Sequence, residues 1–242
     1  QKPYLYTLIT LIKENGKVID EVKTPYGFRT VRWPNPNGTG DGRFYLNEQP
    51  LFINGICEYE HQLGNSHAFT AEQIASRIDQ CKAAGFNAFR EVHQPHNLRY
   101  TQALDKDGLL QWSQLSAHIW YDTPAFREQF LASLEEWIVE RRNSPSIVMW
   151  GLQNESSLPA AFAATCTELI RTLDPTASTE RLVTTCNGGE GTDWNVVQNW
   201  SGTYSGDPDR YGQELVKERL NGEYGAWRTL DLHTEGGFIK DP

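Results

Sequence analysis

The feature that most constrains the fold is a repeated alternation of short apolar segments with amphipathic segments over most of the chain. Seven of the short segments are predicted strands, at residues 51–58, 86–92, 109–113, 146–155, 182–186, 196–200 and 222–226, and the one at 146–155 opens with the apolar run typical of a strand buried on both faces. Strands that alternate with helices predict a parallel sheet. The pattern therefore predicts an α/β fold, a (β/α)8 TIM barrel that lacks its eighth unit, with a seven-stranded open sheet as the alternative.

The segments between these strands contain recognisable helix boundaries. Thr70 and Gln73 have the spacing of a capping box. Thr123 precedes Pro124 at the start of a longer helix, where proline fits the first turn. Further helices are predicted at 98–107, 159–173 and 209–220, whereas the glycine-rich stretch 188–191 predicts a loop.

Residues 1–33 have the alternating pattern of β-strands and no helical segment. Gly16 predicts a hairpin turn between the first two strands, and residues 28–33 predict a third strand. Three strands are too few for an independent sandwich, so they are interpreted as the end of an all-β domain. A linker at 34–43 and a barrel domain at 44–242, incomplete at its C-terminus, are expected to follow.

The composition argues against several classes of partner. The net charge of −9 argues against nucleic acids and anionic membranes. No apolar run approaches the roughly 20 residues that a membrane-spanning helix needs. The sequence contains no signal peptide, so the compartment stays undetermined. The cysteines form no Cys-x-x-Cys pair and are interpreted as unpaired core residues: Cys57, Cys81, Cys166 and Cys186.

Polar side chains follow several of the predicted strands. A TIM barrel collects its chemistry at the C-terminal ends of its strands, where this sequence has Glu58, His61, Arg90, Glu91, His93, His118, Asn154, Glu155, Asn199, Tyr204 and Glu223. Glu155 and Glu223 stand out because each ends a strand inside an apolar or glycine-flanked segment. Paired carboxylates are what glycoside cleavage needs, since one protonates the leaving oxygen and the other attacks or stabilises the anomeric carbon.

Three of these segments resemble known motifs of glycoside hydrolase family two. The sequence NSPSIVMWGLQNE at 143–155 resembles the acid/base segment, NGEYGA at 221–226 the nucleophile segment, and NAFREVHQP at 87–95 the Arg/His substrate-binding turn. The resemblance extends to the barrel entry at 44–55. It also includes YGFRTV at 26–31, which is similar to the last strand of the immunoglobulin-like β-sandwich that precedes the barrel in this family.

The resemblance implies a retaining double displacement with Glu155 as general acid/base and Glu223 as nucleophile. Their carboxyl groups are then expected about 5–5.5 Å apart. Asn154 is expected to bind the sugar 2-hydroxyl. The other expected sugar-binding residues are His61, Arg90, His93, His118, Trp200 and Tyr204. Neither a cofactor nor a metal is expected.

The sequence departs from the family pattern in two places. The family often has an Asp-Glu pair after the third strand, where this chain has Ser113 and Gln114. This change puts in doubt the metal site that some members build there. The tyrosine that commonly supports the nucleophile has no clear counterpart, because Ser201 is nearest the expected place and Tyr204 is only a candidate.

Several of these assignments have structural alternatives, since His61 and His93 could form hydrogen bonds behind the sugar-binding residues, and His118 could belong to an aromatic wall of the cleft. Arg90 could pair with a strand-end carboxylate, Glu58 or Glu91, instead of binding sugar. His93 and His96 have a spacing that suggests a metal pair, but the intervening proline and the lack of a third ligand argue against it.

The favoured function is a retaining exo-β-glycosidase that removes terminal β-linked sugars from carbohydrates, most similar to a β-galactosidase. A β-glucuronidase or β-mannosidase of the same family is the first alternative. A catalytically weak carbohydrate-binding protein is the second, and a metal-dependent hydrolase using His61 and His93 is the third. A homo-oligomer of the full-length parent stays open, and so does a periplasmic or extracellular location.

Overall fold

The computed structural model describes residues 3–33, 42–61, 67–116, 118–119, 121–200 and 220–224. Three predictions fall largely or wholly outside these residues: the linker at 34–43, the helix at 209–220 and the candidate Tyr204.

An antiparallel hairpin forms the N-terminal part of the structure. Strands β1 (Tyr6–Glu14) and β2 (Lys17–Tyr26) pair through the predicted turn, where Asn15 and Gly16 have φ angles of 49° and 80°. Glycine tolerates this left-handed conformation at little cost. The hairpin exposes apolar side chains along both strands, namely Leu8, Ile9, Leu11, Ile12, Val18, Ile19 and Val22.

Three short strands form a second antiparallel sheet before the barrel: β3 (Val31–Arg32), β4 (Phe44–Leu46) and β5 (Gln49–Leu51). The predicted strand at 28–33 is therefore too long, because only its last part is in a strand. That part pairs with β4 and not with the first hairpin. The predicted barrel strand at 51–58 also begins too early, because Leu51 belongs to β5 and pairs with Phe44 on β4.

The main sheet has seven parallel strands, which follow one another around the sheet in chain order. They are β6 (Gly55–Tyr59), β7 (Ala88–Val92), β8 (Leu110–Gln114), β9 (Ile147–Asn154), β10 (Leu182–Cys186), β11 (Trp194–Gln198) and β12 (Asn221–Glu223). The edge strands approach each other, because Cys57 Sγ on β6 lies 3.3 Å from the Gly222 carbonyl oxygen on β12. The sheet is thus a nearly closed barrel, which confirms the TIM-barrel prediction over the open sheet.

Four helices pack around the described part of the barrel: α1 (Ala71–Ala83), α2 (Leu98–Asp107), α3 (Pro124–Arg141) and α4 (Ala160–Leu173). The capping box at α1 is confirmed, since Thr70 Oγ1 accepts from the Gln73 amide and the Gln73 side chain accepts from the Thr70 amide. Thr123 Oγ1 caps α3 in the predicted position. The loop predicted at 188–191 is also present, because no helix separates β10 from β11.

Apolar side chains fill both sides of the barrel wall. Outside it, Trp137 on α3 packs edge-on against Trp150 on β9 at 4.9 Å, within a cluster that also includes α4. Inside it, Trp112 and Met149 pack with Trp33 and Phe44 from the β3–β4 segment. Trp33 contacts Trp194, the first residue of β11, so the small sheet covers the N-terminal end of the barrel and leaves the C-terminal end for chemistry.

The cysteines are all free, and three of them are buried in the core as predicted. Cys57 is the exception, because it lies exposed on edge strand β6. Among the helices that the structure describes, none combines the length and apolar character needed to cross a membrane.

Candidate active site

A cavity of about 1290 Å³ collects the strand-end side chains of the barrel. Seven of the nine residues that the sequence proposed for the site line it: His61, Arg90, His93, His118, Glu155, Trp200 and Glu223. Asn154 joins them through Arg90, and Tyr204 lies outside the described residues. The parallel strands bring these residues together because all their C-terminal ends meet at one edge of the barrel.

Arg90, near the end of β7, is the hub of the site. Its Nη1 donates to Glu223 Oε1 at 2.7 Å and to the Gly222 carbonyl at 3.0 Å, and its Nη2 donates to Asn154 Oδ1 at 2.7 Å. Nε and Nη2 both donate to Gln114 Oε1, at 3.2 and 2.9 Å. The guanidinium also lies over the Trp112 ring at 4.4 Å. One buried cation therefore connects the ends of four strands.

Glu223 ends β12 and is 7% exposed. Burial raises the pKa of Glu223, and the charge and hydrogen bond of Arg90 act in the opposite direction. The nearby charge of Glu155 raises this pKa further. A second contact comes from His93, whose Nε2 lies 3.6 Å from Oε1. Ion pairing at 2.7 Å in a desolvated site favours the carboxylate form of Glu223.

Glu155 occupies a more open position directly after β9. Its φ angle is 45°, a left-handed conformation that costs a non-glycine residue about 1 kcal/mol or more. Its backbone N–H donates to the Cys186 carbonyl at 3.0 Å, which fixes the turn. The Glu155 side chain is 36% exposed, against 9% for that of Glu223. The two carboxyl groups thus lie in different environments.

Asn154 is fully buried beside this pair. Its Oδ1 accepts from Arg90 and from Gln198 Nε2, the latter at 3.2 Å, which orients the amide. Its Nδ2 has no partner among the described residues although it is buried. Because a buried donor without a partner is costly, this N–H is available to a polar group of a ligand.

The histidines differ in their surroundings. His93 is mostly buried, and burial, with the charges of Arg90 and His118, lowers its pKa to about 4. It is therefore neutral near pH 7 and lies against the Tyr59 ring at 5.5 Å. His61 is exposed at the cavity edge, where its ring neighbours that of His67.

Arg90 pairs with neither Glu58 nor Glu91, the two carboxylates that the sequence offered as alternative partners. Glu58 pairs with Arg77 on α1 at 2.8 Å. Glu91 is fully buried on the helix side of β7, where it accepts from Ser113 Oγ at 2.6 Å and from the His96 amide at 3.3 Å. Burial raises the pKa of Glu91 to about 7. Arg90 pairs with Glu223 instead.

His96 does not accompany His93 toward the cavity. It is buried against Phe89 and Tyr100, at ring distances of 5.8 and 5.2 Å. In the part of the chain that the structure describes, no group of three or more His, Cys, Asp or Glu side chains is arranged to hold a metal ion.

Two glutamines at the site were missed by the sequence reasoning. Gln114, which ends β8, accepts two bonds from Arg90 and lies 3.5 Å from His93 Nδ1. Gln198, which ends β11, binds Asn154 and contributes a hydrogen bond to Glu223. No local signal singled them out, since each ends a strand that contains other polar residues, such as Gln111 and Ser113 in β8 and Asn195 in β11.

Comparison with known families agrees with this geometry. The family model described as glycosyl hydrolases family 2, TIM barrel domain, matches residues 39–223. A second model, described as glycosyl hydrolases family 2, matches residues 1–29.

The relatives that match this chain are named for two different activities. A putative beta-glucuronidase from Formosa agariphila is 32% identical over 182 residues, which cover 73% of this chain and 17% of that protein. A beta-galactosidase from Vibrio vulnificus is 29% identical over 170 residues, covering 64% and 15%. A beta-glucuronidase from Bacteroides fragilis is 25% identical over 255 residues, covering 95% and 35%. The chain thus spans between 15% and 35% of the length of these relatives.

Solved structures have the same fold. Beta-glucuronidase 3 from Bacteroides uniformis superposes with a TM-score of 0.75 at 26% identity, over 87% of this chain and 28% of that one. Because the TIM-barrel model alone matches more than half of the chain, this chain belongs to glycosyl hydrolases family 2.

Proposed function

We propose that the protein is a retaining exo-β-glycosidase in which Glu155 is the general acid/base and Glu223 is the nucleophile. The observation that carries the proposal is the difference between the two carboxyl groups. Glu223 is buried and ion-paired with Arg90, whereas Glu155 lies at the open side of the cavity. Glycoside cleavage with retention needs one carboxylate that stays ionised and one that exchanges protons.

The reaction follows from these positions. Glu155 gives its proton to the glycosidic oxygen while the Glu223 carboxylate forms a bond to the anomeric carbon and the alcohol departs. Glu155 then takes a proton from water, whose oxygen replaces Glu223 at the same carbon. The buried N–H of Asn154 is assigned to the sugar 2-hydroxyl.

For the sugar, we propose a neutral hexose, with a β-galactoside as the first choice. Two arginines line the described cavity, Arg77 and Arg90, and each is already paired with a carboxylate. A uronate would need a cation of its own, and among the described residues of the cavity neither arginine is unpaired, which supports a neutral sugar over a glucuronide. Hydrolysis rates on aryl β-galactoside, β-glucuronide and β-mannoside test this choice, and a preference for the glucuronide would reverse it.

The nucleophile is tested by covalent trapping. A 2-deoxy-2-fluoro glycoside is expected to inactivate the protein over time and to add its sugar mass at Glu223. Glu168→Ala, at an exposed position on α4, is the matched control and is expected to label normally. A protein that binds the sugar but stays unlabelled would indicate a carbohydrate-binding protein instead. If a chelator abolished the activity, a metal-dependent hydrolase using His61 and His93 would be favoured.

Rescue chemistry tests the stereochemical course. Glu223→Ala is expected to abolish turnover, and azide is expected to restore part of it by attacking the face that the carboxylate leaves free. The product is then the α-glycosyl azide. A β-glycosyl azide would contradict the assignment of Glu223.

We also propose that residues 1–33 are the last strands of an immunoglobulin-like β-sandwich, with a linker at 34–43 and the barrel domain from 44 onward. The exposed apolar residues of β1 and β2 support this, because a two-stranded hairpin is marginal in water without a covering sheet.

A further inference from the structure

His118 lies in a loop that is fastened directly to the end of β9. The Asn154 amide donates to the Ser116 carbonyl at 3.1 Å, and the His118 amide donates to the Asn154 carbonyl at 2.9 Å. Two bonds continue this pairing, from the Ile119 amide to Ser156 Oγ and from the Ser157 amide to the Ile119 carbonyl, both at 2.9 Å. The loop after β8 therefore runs alongside the loop after β9, and the hydrogen bonds between the two loops continue the pairing of β8 with β9.

The backbone turns at corresponding points of these two loops. His118 has a φ angle of 50° and Glu155 one of 45°, and both side chains line the cavity. Left-handed residues other than glycine are uncommon, and such conformations concentrate at functional sites. Nδ1 of His118 and Oε2 of Glu155 are 3.7 Å apart.

Each carboxylate of the site thus has its own histidine. His93 lies 3.6 Å from Glu223, His118 lies 3.7 Å from Glu155, and the two imidazole rings are 6.1 Å apart. The two pairs differ in burial, since the His93 side chain is 11% exposed and that of His118 is 47% exposed. His118 therefore lies on the open side of the cavity, where the leaving group of a glycoside would depart.

We propose that His118 is the positioning residue of the acid/base Glu155. Its imidazole N–H binds Oε2 of Glu155 and turns Oε1 toward the glycosidic oxygen. In the first step Oε1 gives its proton to that oxygen as the bond to the anomeric carbon breaks, and the new carboxylate is stabilised by the hydrogen bond from His118. In the second step Oε1 takes a proton from the attacking water. This inference rests on the proposed function.

The test uses aryl β-glycosides whose phenol leaving groups range from dinitrophenol to phenol. His118→Gly is the removal variant, because glycine adopts the left-handed conformation without strain and has no side chain to reach Glu155. We expect kcat/KM to fall about 10-fold or more for the phenyl glycoside and less than about 3-fold for the dinitrophenyl glycoside, which needs little protonation. His118→Asn, which tolerates the left-handed conformation and places its side-chain N–H where the imidazole Nδ1 lies, is expected to recover most of the loss.

A double-variant cycle separates positioning from sugar binding. In a Glu155→Gln background, the change His118→Gly is expected to have little further effect, because the two residues act as one unit. Tyr121→Ala is the matched control in the same loop, since Tyr121 is 80% exposed and does not line the cavity. Circular dichroism and the melting temperature verify that each variant folds.

Equal losses for all phenols, or a full loss in the Glu155→Gln background, would overturn the inference and make His118 a sugar-binding or structural residue. The failure of the proposed function has a different signature. If Glu155→Gln itself affected all phenols equally, the acid role of Glu155 would fail and this inference with it. If Glu155→Gln discriminated among the phenols and His118→Gly did not, only the role of His118 would fail.

Discussion

Two buried arginines at opposite ends of β9 show how one barrel separates chemistry from stability. Arg90 at the C-terminal end donates mainly to side chains around the cavity, those of Gln114, Asn154 and Glu223. Arg181 at the N-terminal end donates to backbone carbonyls of residues 142, 144 and 147 and to Asp174. Both side chains are 4% exposed.

The two sites differ in whether the polar groups around the arginine all have hydrogen-bond partners. At the N-terminal end of β9, the lower end, Asp174 also accepts from Trp150 Nε1 and from Thr176, so its charge is fully surrounded by donors. At the C-terminal end, the upper end, Asn154 Nδ2 lacks a partner among the described groups. Burial raises the pKa of Glu223 there, against the effect of Arg90. A fully bonded cluster stabilises the fold, whereas an incompletely bonded one is prepared for a ligand.

The largest expected effect is on activity at the upper end. Arg90→Gln removes the partner of Glu223 and releases Asn154, so we expect kcat/KM to fall about 10³-fold, equivalent to about 4 kcal/mol. Steady-state kinetics on an aryl β-glycoside measures the loss. A variant that folds and keeps more than about a tenth of the activity would mean that Arg90 has only a structural role.

The same kind of change at the lower end is expected to affect stability. Arg181→Met leaves Asp174 buried without its ion pair, so the free energy of unfolding is expected to fall by about 3 kcal/mol or more. Denaturant unfolding measures this, and kcat/KM of the folded protein is expected to change little. Adding Asp174→Asn removes the stranded charge and should recover part of the loss. A large drop in kcat/KM with unchanged stability would remove the distinction between the two ends.

A smaller effect is expected from Arg29, which joins the N-terminal strands to the base of β9. It donates to the carbonyls of Pro145 and Ile147, at 3.1 and 3.0 Å, and pairs with Glu180. Arg29→Ala is expected to lower the free energy of unfolding by about 1–3 kcal/mol. Arg32→Ala is the control, because its pair with Glu48 is exposed and worth less than about 1 kcal/mol. Equal effects of the two variants would show that Arg29 does not couple the strands to the barrel.

The smallest expected effect is a shift in pH dependence. Burial raises the pKa of Glu223, while Arg90 and a hydrogen bond from Gln198 lower it. Gln198→Leu removes one lowering contribution, so the pKa of Glu223 rises further. Because the nucleophile must be ionised, activity is lost as pH falls through this pKa, and the acid limb of kcat/KM is expected to move to higher pH.

Gln111→Leu is the matched control for this shift. Gln111 is fully buried, whereas Gln198 is partly buried, and Gln111 lies near the N-terminal end of β8, where it bonds with Thr101 and Ser146. We expect it to lower stability without moving the acid limb. A shift of the limb to lower pH in Gln198→Leu would contradict the direction of the Gln198 contribution.

Much of the fold could be predicted from the sequence because its signals are local. The capping box at Thr70 and Gln73, the turn at Gly16 and the apolar run of β9 each depend on neighbours a few residues away. The errors arose where pairing is non-local. The stretch 28–33 has a strand-like pattern, but its backbone partners lie on β4.

The residues of the candidate site also divide into those that the sequence predicts and those that it does not. Glu155 and Glu223 were predictable as strand-end carboxylates, and the structure brings both into one cavity. The importance of Gln114 and Gln198 was not predictable, because a glutamine at a strand end is ordinary until its partner is known. Glu91 and Glu58 show the converse, since both were reasonable partners for Arg90 and both face other groups.

The sequence by itself therefore determined the alternation of strands and helices and the positions of the two strand-end carboxylates along the chain. Only the tertiary structure decided which side chains meet. Arg90 reaches Asn154 and Glu223 across 64 and 133 residues of chain, and His118 reaches Glu155 because two loops pair beyond the ends of their strands. Such contacts depend on strand register and on closure of the barrel, which are properties of the folded sheet and not of any local segment.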